Sequence, residues 1–116
     1  MKLLRFSGIA FLILATLCWQ AAYAGTTGKI TGVVGKVISV KGTCGAGHEV
    51  GDTMKFTENG VEGKVCIHAL YSMLPAVFAM LYDAKFPWLQ DPDKKTHACP
   101  DAANPVVFEL TRIREQ

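Results

Sequence analysis

The chain has 116 residues, 50% of them hydrophobic, with 12 Lys+Arg against 10 Asp+Glu. Its formal charge of +2 rests on Lys2 and Arg5, and from Gly25 onward the chain is balanced, with no run of like charge. That removes any electrostatic case for nucleic acid or an anionic membrane surface as partner. A chain of this length holds one domain with one modest core.

Met1–Ala24 has a basic start at Lys2 and Arg5, an apolar run from Ile9 to Trp19, and a small-residue end at Ala22-Tyr23-Ala24. This is the three-part grammar of a secretory signal peptide with an A-x-A cleavage site. The apolar run is shorter than the ~20 residues of a membrane span, so an uncleaved anchor is the weaker reading. A lipoprotein is weaker still, because Leu17 precedes Cys18 where a small residue is needed. The expectation is an exported protein, periplasmic or secreted, whose mature part is one domain over Gly25–Gln116 with no stable membrane anchor.

In chain order, KITGVVGKVISVKG alternates β-branched residues best over Val33 to Val40 and predicts a strand. Gly32 and Gly35 point to a bulge or an early break in it. A glycine-rich turn, CGAGHEVGD, follows, then a second strand over Glu49 to Thr57 and a turn at Glu58-Asn59-Gly60. Cys66 to Ala84 is the helical segment, with Ile67, Leu70, Met73/Leu74, Val77 and Leu81 on one face. Pro75 falls inside it, predicting a kink or a split near Ser72. Lys85 to Ala98, with two prolines and five charges, reads as a loop, with Phe86-Pro87-Trp88 anchored by a buried tryptophan. PVVFELTRI, from Pro105, alternates as a last strand pairing antiparallel with the first. The expected fold class is α+β: a small antiparallel sheet of three or four strands with the helix on one face.

Three cysteines, Cys44, Cys66 and Cys99, lie beyond the cleavage point, so they cannot all pair within one chain. An oxidising compartment favours disulfides. Cys44 and His48 form a C-x3-H pair on a loop whose glycines permit close backbone approach; the bland alternative is a hairpin turn with a solvated histidine. Cys66 stands at the front of the helix, where unpaired N–H groups favour a thiolate. His68 points to another side of the helix, and His97, two before Cys99, joins it only weakly. Asp52 and Asp101, beside glycine and proline, read as turn residues. The strand pairing is expected to hold the end of the first strand and the start of the last apart, leaving the loops to bring the cysteines together.

KGTCGAGHEVGD, GKVCIHA, FPW and CPDAANPVVFEL, in that order over Val37 to Ile113, resemble a small prokaryotic three-cysteine family with no established activity. The resemblance implies a single compact domain in which Cys44, Cys66 and Cys99 act as a unit. There is no P-loop, G-x-S-x-G, H-E-x-x-H or C-x-x-C in the chain. Two main readings follow. In one, Cys44, His48, Cys66 and Cys99 form a metal- or thiol-based site, suited to zinc as a Cys3His set or to copper if only sulfurs bind. In the other, a disulfide-stabilised binding or interaction domain serves a protein or small-molecule partner. An enzyme with Cys66 as nucleophile and His48 as base ranks third, for want of a group to orient the histidine.

Overall fold

The computed structural model describes residues 28–116, so the expected signal segment Met1–Ala24 and its cleavage point lie outside the described residues. The elements are β1 (Ile30–Val40), β2 (Thr53–Thr57), β3 (Gly60–Glu62), α1 (Ile67–Leu81), β4 (Lys94–Ala98) and β5 (Val106–Arg114). The strands form one sheet in the order β3-β2-β1-β5-β4, every neighbouring pair antiparallel. α1 packs against β1 and β5, the middle of the sheet. The α+β class is as expected, but the sheet has five strands rather than three or four. The additions are both edges. β3 is a short return from the Glu58-Asn59-Gly60 turn, and β4 occupies part of the segment expected to be loop. The second strand is also shorter than expected, because Glu49 to Asp52 is a turn.

The core follows from alternation. In β5, Val106, Phe108 and Leu110 are buried on the face toward α1. β1 contributes Val33 and Val37, and β2 contributes Met54 and Phe56. Each such side chain, once fully buried, is worth roughly 1.5–3 kcal/mol. β1 bends through irregularities between Ile30 and Gly32 and between Val37 and Ser39, yet it runs on to Val40 rather than breaking at its glycines.

α1 is a single helix with Pro75 inside it. Pro75 is exposed, so the lost backbone bond and the ring lie on the solvent side and not in the core. The buried face is Ala69, Met73, Val77 and Met80. Leu74 and Leu81 are only partly buried, and Ile67 is exposed, so the helix is rotated from the expected face by part of a turn. Among the described residues no helix is long and apolar enough to cross a membrane.

At the C-terminal end of α1 the buried row of β5 continues into Arg112. Its Nε donates to the Met80 carbonyl at 2.9 Å, Nη2 to the Ala84 carbonyl at 2.6 Å and Nη1 to the Pro92 carbonyl at 2.5 Å. The guanidinium lies over the Phe86 ring, 5.9 Å from its centre. Phe86, half-buried, is therefore the anchor of the loop; Trp88, expected to be buried, is 70% exposed. Arg114 then binds Asp93 through Nε and Nη2, Asp83 through Nη2 at 3.0 Å, and the Gly28 carbonyl through Nη1. Helix end, loop and last strand are thus tied by two arginines.

Candidate functional site

The opposite end of the sheet gathers the cysteine-bearing segments. In the β1–β5 register Val40 faces Val106, so the end of β1 lies beside the start of β5. This corrects the expectation that strand pairing would hold them apart: two antiparallel strands always join the end of one to the start of the other. β4 ends at the same place, where the Cys99 N–H donates to the Val106 carbonyl at 2.8 Å. The loop after β1 is laid on the loop before β5 by Lys41 N–H to the Pro105 carbonyl and Thr43 N–H to Asn104 Oδ1, both 3.0 Å. Gly42 makes this approach possible, with φ of +69° and a position where a Cβ would collide with Asn104. Cys44, Cys66 and Cys99 are all half-buried, all free thiols, and all packed against the same core cluster.

Cys66 is the N-cap of α1. Its backbone is extended, and its Sγ accepts the Ala69 N–H at 3.4 Å, a sulfur in the role usually taken by a serine or aspartate oxygen. Its own N–H donates to His48 Nε2 at 3.2 Å. His48 is therefore not a solvated turn residue. It is 3% exposed, and its ring meets Phe108 edge-on, centres 5.6 Å apart and planes at 88°. Because Nε2 accepts, the ring proton belongs on Nδ1. That Nδ1 is buried without a hydrogen-bond partner, and the nearest carboxylate oxygen, Asp52 Oδ2, is 3.7 Å away. A buried donor left so costs about 1–3 kcal/mol, partly offset here by the facing negative charge.

Asp52 does more than shape the turn expected of it. Its carboxylate accepts the Glu49 N–H at 3.0 Å, while its own N–H donates to the Glu49 carbonyl at 3.1 Å. The turn is pinned to β1 by Val37 N–H to the Asp52 carbonyl and Gly51 N–H to the Val37 carbonyl. Gly51 takes φ of +100°, which a side-chain-bearing residue resists. Lys64 Nζ sits 3.7 Å from the same carboxylate oxygen and donates to the Gly47 carbonyl at 2.6 Å. The Glu49 N–H, with smaller help from Lys64 and His48, holds the Asp52 carboxyl below its ordinary pKa. The group missing from the enzymatic reading is thus present, but His48 Nε2 serves the Cys66 backbone and not its sulfur.

Asp101 is a turn residue as expected, accepting the Ala103 and Asn104 N–H groups at 3.0 and 3.1 Å. His68 is exposed. His97 lies on the helix-facing side of β4, its Nε2 2.8 Å from Ser72 Oγ, and Ser72 in turn donates to the Ala69 carbonyl at 3.1 Å. Desolvation pushes its pKa down, with a smaller push from Lys95. It bridges helix to sheet beside the cysteine end. Among the described residues no group of three or more His, Cys, Asp or Glu side chains is placed to hold a metal ion. Compared with protein-family models, curated proteins and solved structures, the chain matches none.

Proposed function

We propose that this is an exported thiol-based protein in which Cys44, Cys66 and Cys99 form one site and His48 positions Cys66 within it. The observation that carries the reading is that the three segments bearing half-buried free thiols end at one end of the sheet, where the buried His48 takes the Cys66 N–H. In an oxidising compartment the chemistry open to such a set is thiol–disulfide exchange. Two of the thiols give two electrons and two protons to a low-molecular-weight disulfide. One S–S bond forms in the protein, two small thiols are released, and the third cysteine keeps its proton. Zinc or cuprous copper would have to draw the loops closer together, since no ligand group of three stands ready, and His48 would first have to give up the Cys66 N–H. The test is to treat the reduced, folded protein with oxidised glutathione and count thiols. One remaining thiol, with no added mass, supports the reading; three remaining thiols overturn it.

A binding-domain reading is favoured by a separate feature. α1 leaves Tyr71, Phe78 and Tyr82 exposed, the last two stacked with ring centres 6.3 Å apart. Phe78 and Tyr82 border a groove completed by Leu74 of α1 and by Phe56 and Val61 of the β2–β3 hairpin.

A further inference from the structure

We infer that Asp52 is a positioning residue of the cysteine site: by facing His48 Nδ1 it holds the imidazole in the tautomer whose bare Nε2 takes the Cys66 N–H, and so fixes how the helix presents the Cys66 sulfur. The inference rests on the reading above only in treating Cys66 as a working thiol.

The geometry sets the tautomer from both sides. With the proton on Nδ1, a donor faces the Asp52 carboxylate 3.7 Å away and an acceptor faces the Cys66 N–H 3.2 Å away. With the proton on Nε2, a donor would face the Cys66 donor and a lone pair would face the carboxylate. Both contacts become repulsive. Nothing else described takes the Nδ1 proton. Burial of the ring keeps water from substituting for either partner. Asp52 is itself fixed by Glu49 N–H and by the turn's two bonds to β1, so its carboxylate is a rigid reference and not a mobile surface group. The spacing G-H-x-x-G-D then has a physical cause. His48 and Asp52 must lie on one turn, and Gly51 allows that turn its positive φ.

Two substitutions of Asp52 separate positioning from mere loss of charge. Oδ2 both accepts the Glu49 N–H and faces His48 Nδ1, so Asp52→Asn, with its amide oxygen in that place, keeps an acceptor for both, whereas Asp52→Ala removes it. The probe is the long-range proton–nitrogen correlation spectrum of His48 in the full chain as recovered after export. It is paired with the rate at which iodoacetamide alkylates Cys66 when Cys44 and Cys99 are serine. We expect the Nδ1-H form in the parent and in Asp52→Asn, and loss of that form in Asp52→Ala. Alkylation in Asp52→Ala should be about fivefold faster, as expected when one restraining hydrogen bond is lost, and near the parent rate in Asp52→Asn. Lys64→Met, which removes the other group near Asp52, should leave the tautomer unchanged. An Nε2-H histidine in the parent, or an unaltered tautomer and rate in Asp52→Ala, overturns the inference. Neither readout involves disulfide exchange, so failure of that chemistry with a positive result here would sink the proposed function and leave Asp52's role intact.

Discussion

At the end of the sheet where α1 finishes, each nitrogen of Arg112 and Arg114 has an oxygen partner, and the Met80 carbonyl of α1 and the Ala84 carbonyl just past it are bound by a buried cation. At the end where α1 begins, three thiols stay free and His48 keeps a buried Nδ1 without a hydrogen bond. Both ends are polar, and both join the helix to β5, yet only one is closed. A buried polar network whose members are all paired fixes a structure and offers nothing to a ligand. One held in place with a donor unspent is where local rules give way to function. The comparison assigns stability to the arginine end and chemistry to the cysteine end.

It can be broken in three places. The largest effect is expected from Arg112→Met, which takes the guanidinium donors from the Met80, Ala84 and Pro92 carbonyls, the first at the helix terminus. A loss of about 3 kcal/mol or more in urea unfolding is expected, while the thiols of the protein that remains folded react as before. A stable variant would show that the arginine end does not hold the fold. Cys66→Ala should cost about 1 kcal/mol through the lost N-cap. Cys66→Ser, which keeps a capping atom, should cost less, and both should end any disulfide involving that residue. Equal stability of the two variants would remove the cap assignment.

The smallest effect concerns pH. Lys85 and then Arg114 hold the Asp83 carboxyl below its ordinary value of 3.8. A depressed carboxylate adds stability above its unfolded pKa and loses it as pH falls through the folded one. Because Asp83 is largely exposed, solvent screens the contribution. Wild type should exceed Asp83→Asn slightly near neutral pH, and the two stability curves should meet in acid, below pH 3.8. Curves that diverge in acid would contradict the sign.

Much of the middle of the fold was legible because it repeats. β1 and β5 alternate with period two, and α1 carries an apolar stripe. β4 was not legible: KKTHA is charged, short and preceded by prolines, as an edge strand that must resist further pairing tends to be. Pro75 was visible, but its consequence depended on which side of the helix it faced. Arg112 sits in the buried row of β5 where alternation alone would place an apolar residue. At the site, the position of Cys66 at the head of the helix could be read from the sequence. The bond from its N–H to His48 could not, because a backbone donor leaves no residue-type signature. That the loop carrying Cys44 lies at the start of β5, where the Cys99 N–H meets Val106, was available from strand direction alone, and Asp52 stood in plain view four residues after His48.

The central claim, that the cysteine end is a single working site, is tested most directly by the thiol count and metal content of the protein purified from the export compartment without reductant. The account predicts one titratable thiol per unfolded chain, a mass lower by two hydrogens than the reduced form, and no stoichiometric metal. Three titratable thiols with no metal would contradict it, leaving Cys44, Cys66 and Cys99 as inert packing around a glycine-rich turn.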